Sequence, residues 1–549
     1  MALFPELRAI RDVMAMRNNW LSQYFPKAFR PAVLLLTVSP VAMSGCATIA
    51  KLTPEAAIAV ADVPVSPASR AGEAPNSRWT EAAPADLPKT DWVSEFSDPV
   101  LSSLVAKALA ANTDIRAAEY SYRAALARLE ISEANLLPSV TASSRASRSE
   151  NIGNLVSPPD NNSAVDFSGE FNPALLGVGG GVSSGNTGLS AGLNASWEYD
   201  LWGRIRDGVE GSELEAAASQ ADYAGARLAI AARVTQNWFD LIEARLLAEL
   251  SEREVETQAR ALRLTTRRFE GGVTGSSDVR LARSALANAK AVRASRQQRQ
   301  SALSRSLEVL LREYPDETLT ASVDLPRLAP LAGAGGPAYV LRHRPDLLAA
   351  ERRMQAAGLQ VDAARKALLP SLSFDGGMNL AGSALNNIFD LDRLVADIAG
   401  GLTAPIFQGG RLKANAAQQD ALMRQQVERY AGTALNAYLE VENALDADAR
   451  LAEREAALRV SLNEALKAEE RLELRYTEGL TTILQLLDSQ SRRLNAESQL
   501  ISARKERLAN RVRLHVALGG GDISQTAILP TAQIAQKTRV FAAANKTKL

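Results

Sequence analysis

Covalent catalysis needs a nucleophile beside a base, and this 549-residue chain offers few candidates for either role. Gly188-Leu189-Ser190-Ala191-Gly192 has the G-x-S-x-G spacing of a hydrolase elbow, which requires a sharp turn between strand and helix. Here the pentapeptide falls inside an unbroken apolar–polar alternation from Thr187 to Tyr199, with no turn at the serine. The chain has two histidines. His343 reads as a loop residue ahead of a helix and His515 lies near a helix end; both read as surface or packing residues. The glycine run Gly177 to Gly181 lacks the Gly-Lys-Ser/Thr of a phosphate loop. One cysteine excludes an internal disulfide framework and a Cys/His zinc centre. No catalytic residue, metal ligand set or cofactor is expected, so the chain reads as something other than an enzyme.

The lone thiol sits where a lipid would be attached. Lys27 and Arg30 precede an apolar stretch, Ala32 to Ala42, of about eleven residues, the length of a signal-peptide core. Met43-Ser44-Gly45-Cys46 follows and resembles a bacterial lipobox, in which Cys46 receives a diacylglyceryl group. Ala47 stands where an aspartate would retain many lipoproteins in the inner membrane, so the outer membrane is the expected address. Residues 1–45 then form the signal peptide. Residues 46–95, rich in Ala, Pro, Ser and Thr, form an extended linker, and residues 521–549 a polar tail. Lys and Arg number 62 and Asp and Glu 62, a zero net charge with no footprint for nucleic acid. No later segment has the roughly 18 consecutive apolar residues of a spanning helix. A membrane crossing would have to use strands.

The central sequence is an internal repeat, 98–316 and 338–520. Asp114 and Pro138 recur as Asp346 and Pro370 with one offset. Leu201-Trp202-Gly203-Arg204 is echoed by Ile406-Phe407 and Gly409-Gly410-Arg411, and Arg268-Phe269 with Gly272 by Arg475-Tyr476 with Gly479. Each unit predicts a helix (about Pro99 to Leu136, then Ala338 to Leu368) ending before its proline. Alternating strands follow: Leu189, Leu193, Trp197 and Tyr199 share one face in the first unit, Leu372 and Phe374 in the second. Then come rods of about 95 Å, Arg204 to Arg268 and Lys413 to Tyr476. Shorter return helices, Ser276 to Arg312 and Ile483 to Leu518, complete each unit. The Arg-Gln run from Arg293 to Gln300 reads as a solvated helix face or a lumen lining.

Two strands per unit make four per chain, too few to close a barrel, and open edges in hydrocarbon leave backbone groups unpaired. Two copies would enclose a side-chain-filled interior; three give twelve strands and room for water. The expected fold class is therefore α+β: a trimeric 12-stranded transmembrane β-barrel, continued by a long periplasmic α-helical barrel.

The repeat, the Leu-Leu-Pro-Ser joint, the Asp200-Leu201-Trp202-Gly203-Arg204 junction and the Arg-Tyr-x-x-Gly turn together resemble the outer-membrane factor family of TolC-like channels, and the lipobox resembles its NodT- and OprM-like lipoprotein branch. That resemblance implies a homotrimer docked on a periplasmic adaptor (membrane fusion) protein and an inner-membrane RND pump, acting as a passive exit duct for small toxic or amphipathic compounds. The alternative within the family is the outer-membrane component of a type I protein secretion system. The resemblance also implies a periplasmic constriction at Leu484 and Asp488, with Asp278 and Tyr476 tying neighbouring coils together. Gln485, Thr481 and Ser491 depart from the family pattern, which implies a thinner closing network.

Overall fold

The computed structural model describes residues 79–80, 86, 88, 91–149, 186–321, 324–331, 333–382, 392 and 394–521. Cys46, the glycine run 177–181 and the C-terminal tail lie outside the described residues. After one 3-10 turn at Ser94–Phe96, the elements run α1 (Pro99–Ala111), α2 (Thr113–Ala134), β1 (Ser139–Ser149), β2 (Asn186–Tyr199), α3 (Arg204–Glu270) and α4 (Ser276–Leu310). The same order follows as α5 (Pro337–His343), α6 (Pro345–Lys366), β3 (Ser371–Gly382), β4 (Val395–Thr403), α7 (Arg411–Thr477) and α8 (Ile483–Ala517). The two rods α3 and α7 have 67 residues each, about 100 Å at 1.5 Å per residue.

The first helix of each unit is broken where an unbroken one was expected. Asn112 ends α1 and starts α2, its Oδ1 accepting from the Asp114 and Ile115 amides at 2.8 and 3.3 Å. Its Nδ2 donates to the Leu310 carbonyl at 2.8 Å, at the end of α4. A short amide side chain satisfies the open donors of a helix start, so a fresh start competes well with continuing the helix. In the second unit Pro345 forces the break, because the residue before a proline avoids the α region; Arg344 is extended. His343 accordingly ends a short helix, stacked on Tyr339 with ring centroids 3.9 Å apart, instead of lying in a loop.

The strand-to-rod corners need a left-handed residue, and glycine provides it twice, Gly203 at φ 79° and Gly410 at φ 81°. After the first corner the Asp200 carboxylate accepts from the Ile205 and Arg206 amides at 3.1 and 2.9 Å. Along α3 the stripe Ala231, Val234, Trp238, Ile242 and Leu250 is buried, with Leu246 packed beside it. Over its whole length α3 meets α1, α2, α4, α6 and α8. Asp98 fastens the start of α1 to this stripe. One carboxylate oxygen caps Val100 and Leu101 at 2.9 and 3.1 Å, and the other accepts from the buried Trp238 Nε1 at 2.7 Å.

The described part of the Ala/Pro-rich segment has no helix or strand before the turn at Ser94, but it is docked. Trp79 is buried, donates to the Gly335 carbonyl at 3.0 Å and meets Tyr438 edge-on. The Thr80 amide donates to Glu442 at 2.8 Å. An indole buries more apolar area than almost any other side chain, which holds Trp79 against α7.

Replacing Asp98 by Ala removes the cap and strands the Trp238 N–H in the core. The expected loss is about 2 kcal/mol, read as a lower midpoint of thermal unfolding followed by circular dichroism. Asp98→Asn, which keeps an acceptor, should lose less. An unshifted midpoint for Asp98→Ala would contradict the role given to this carboxylate.

Candidate channel wall and periplasmic tip

The four strands form one antiparallel sheet in the order β1-β2-β3-β4. Residues directly opposite across a ladder share a face. Tyr199 lies opposite Leu372, Trp197 opposite Phe374, and Leu193 opposite both Ala142 and Met378. Leu189, Leu193, Trp197, Tyr199, Leu372 and Phe374 therefore line one surface, which continues through Val140 on β1 and Ile398 and Leu402 on β4. Ile398 is 91% exposed. The other surface carries Ser139, Thr141, Asn194, Ser196, Asp375, Asn379 and Asp397. One side suits acyl chains and the other suits water. Ser190 sits mid-strand on the polar side, with none of the geometry of a nucleophile elbow.

The ring contacts of the sheet lie at the end where it meets the helices. Trp197 stacks on Phe374 at 5.9 Å and meets Tyr199 edge-on at 5.4 Å, while its Nε1 donates to the Leu136 carbonyl at 3.0 Å. Trp202 Nε1 donates to the Pro370 carbonyl at 2.6 Å. Just below, Lys366 Nζ lies 2.6 and 2.8 Å from the two Asp207 oxygens. Burial pushes the Asp207 carboxyl up, with the Lys366 ammonium pulling the other way.

At the opposite end the rods turn, and the positions named from the sequence fall into two groups. Tyr476 is buried; its hydroxyl lies 2.9 Å from Thr265 Oγ1, and the Arg268 guanidinium covers its ring at 4.8 Å and donates to its carbonyl. Asp278 accepts instead from Thr274 in its own turn, so one chain does not bring Asp278 and Tyr476 together. Leu484 is 65% exposed on the first turn of α8. Asp488, one turn on, is exposed and accepts from Arg492 at 2.8 Å. The tip thus combines a fastened tyrosine with an open Leu-Asp face.

The chain thus presents a two-faced sheet on paired rods that reach away from it. The family model of outer membrane efflux proteins matches residues 104–311 and 337–520. The chain belongs to the outer membrane efflux protein family. It is an outer-membrane component of an efflux pump, extending into the periplasm, and not an enzyme. The toluene efflux pump outer membrane protein TtgC of Pseudomonas putida is 30% identical over 500 residues, covering 90% of this chain and 96% of that protein. The solved outer-membrane channel OprN matches with a TM-score of 0.71 at 26% identity, over 83% of this chain and 99% of that one. The open state of the Neisseria gonorrhoeae MtrE outer membrane channel matches with a TM-score of 0.68, also at 26% identity, over 84% of this chain and 98% of that one.

Sequence reasoning missed two features of this efflux channel near its tip. Arg268 and Thr265 hold Tyr476, although Arg268 stood in plain view in the repeated turn motif. Higher up, Arg493 of α8 is buried among Glu254 of α3 at 2.7 Å, Glu469 of α7 at 2.6 Å and Glu497 at 2.9 Å. Burial raises the Glu469 carboxyl, the Arg493 guanidinium lowers it, and the Glu254 and Glu473 charges raise it again. No local pattern announces this junction, because its members are distant in sequence and each one alone reads as a surface charge.

Removing the cation should leave uncompensated buried carboxylates. Arg493→Ala is expected to cost about 3 kcal/mol at neutral pH. The loss should shrink as the pH falls and these carboxylates take up protons, because protonation removes their mutual repulsion. Thermal midpoints of both proteins between pH 5 and 8 test this. A deficit that does not change with pH would contradict it.

Proposed function

We propose that three copies of this chain close one twelve-stranded barrel, with their rods forming a single helical conduit beneath it. The conduit is anchored by lipid at Cys46 and docks on a periplasmic adaptor and an inner-membrane RND pump. Its cargo is small toxic or amphipathic compounds, a reading supported by the relative named for toluene efflux. The observation that carries the reading is the sheet itself: among the described residues β1 and β4 are each paired on one side only. In hydrocarbon such edges must be paired, and each group left open costs several kcal/mol.

The helices support the same closure. In the second unit α6 packs on its own rod α7 and also on α3, the rod of the preceding unit. In the first unit α2 packs on its own rod α3. The preceding rod it lacks is an α7 supplied by another copy. In such an assembly the polar sheet surface lines a lumen, and Leu484 and Asp488 stand at the periplasmic mouth. Three Asp488 carboxylates around one axis would favour cations, each moderated by its Arg492.

Purified protein in planar bilayers should conduct in discrete steps, with a preference for cations. Asp488→Asn should move the reversal potential in a salt gradient toward zero selectivity. A wild-type protein that inserts but passes no current would sink the conduit, and an unmoved reversal potential would remove Asp488 from the mouth.

A further inference from the structure

Gly192-Leu193-Asn194 on β2 and Gly377-Met378-Asn379 on β3 share one pattern, and the two strands run antiparallel. Their register sets Gly192 opposite Asn379 and Asn194 opposite Gly377. Each glycine therefore faces an asparagine across the ladder, and all four lie on the polar surface of the sheet. The two rows continue into Ser143 and Val395 at one level and into Thr141 and Asp397 at the next.

Glycine in the middle of a strand lowers stability, through the extra freedom it loses on folding and the side chain it does not pack. The backbone does not require it here, since neither Gly192 nor Gly377 has a positive φ. Space does. A methyl group at Gly192 would overlap the amide oxygen of Asn379 and come within 2.9 Å of the Met378 carbonyl oxygen. One at Gly377 would stand 3.0 Å from Asp397 Oδ1, 3.2 Å from Asn379 Nδ2 and 3.4 Å from Asn194 Oδ1. The Asn379 carboxamide thus lies along the sheet, its oxygen over one glycine and its nitrogen beside the other. Asn194 and Asp397 close in on Gly377 from the strands on either side.

Side chains on a strand ordinarily stand roughly perpendicular to the sheet. On the inner surface of a closed barrel that direction points into the bore. Side chains laid over glycine belong instead to the wall, and the lumen keeps the width that they would have filled.

We propose that Gly192 and Gly377 are seats for luminal side chains, and that the flat belt of Asn194, Asn379 and Asp397 sets the width of cargo that the barrel admits. The proposal rests on the closed-barrel reading above and adds the residues that fix its bore. All three side chains are exposed to solvent on this surface. Their amide and carboxylate groups stay hydrated there, so the belt offers no apolar surface that would hold an amphipathic compound in transit.

Polymer exclusion in planar bilayers tests this with the full chain. Polyethylene glycols of graded mass, added from the barrel end, change the current only if they enter, so the mass at which they are excluded reads the bore from that side. Gly192→Ala should drive the Asn379 amide off the wall and lower the exclusion mass at least twofold. Adding Asn379→Ala should restore the wild-type value, which a general distortion of the sheet would not allow. Asn379→Ala alone should change nothing, because the amide occupies no bore. Thr141→Trp, a large side chain at the level of Asn194, should lower the value and so show that the probes read this level. A higher exclusion mass in Asn379→Ala would mean that the amide stands in the lumen, and a value that Thr141→Trp leaves in place would put the limiting width elsewhere; either result overturns the proposal and leaves the barrel standing. If Gly192→Ala forms no channel, Asn379→Ala alone decides, an unchanged value upholding the proposal and a raised one overturning it. Wild-type protein that inserts no channel would remove the closed-barrel reading together with this one.

Discussion

Among the described residues, backbone groups at the outer edges of β1 and β4 have no partner, and hydrocarbon offers none. Water would satisfy them at no net loss, so the constraint acts only because one sheet surface carries Leu189, Leu193, Trp197, Tyr199, Leu372 and Phe374. An apolar surface draws the sheet into lipid, and lipid then forbids the edges. The geometry below follows from that demand. In the proposed wall the rods leave each strand pair at a fixed angle, and both corners use a left-handed glycine, Gly203 and Gly410. Rods of about 100 Å must in turn be fastened along their length: Asp98 at the start of α1 holds Trp238 of α3, Arg493 of α8 bridges Glu254 of α3 and Glu469 of α7, and Tyr476 of α7 meets Thr265 of α3.

Charge is distributed unevenly among those ties. Where α3 meets α8, cations and carboxylates are paired within the chain, from the exposed Arg253 with Glu497 to the buried Arg493 with Glu254. On α4, every charge between Val279 and Leu307 is positive.

Much of this was legible in the sequence because it is periodic. Alternation along Thr187 to Tyr199 revealed a two-faced strand, and the 3.6-residue stripe through Ala231, Val234 and Trp238 revealed the buried side of a rod. Repeated prolines and glycines set the boundaries to within a few residues. The features that escaped are aperiodic and long-range. Asn112 breaks a helix because its amide also reaches Leu310, almost two hundred residues away. Trp79 docks from within a stretch whose composition says only that it is extended. At the tip, Leu484 and Asp488 lie on an open face, as a constriction between copies would need. Tyr476 instead finds its partners, Thr265 and Arg268, inside its own chain. Position in a motif identified the tyrosine, but its partners depend on how two rods are phased around each other, which no single segment encodes.

The central claim is that one chain supplies one third of a closed wall. Light scattering of the purified full chain in a mild detergent, with the detergent mass subtracted, measures this directly. A particle containing three chains of at most 58.7 kDa each is expected. A stable particle with the mass of a single chain, and with β1 and β4 still open, would contradict the closed wall.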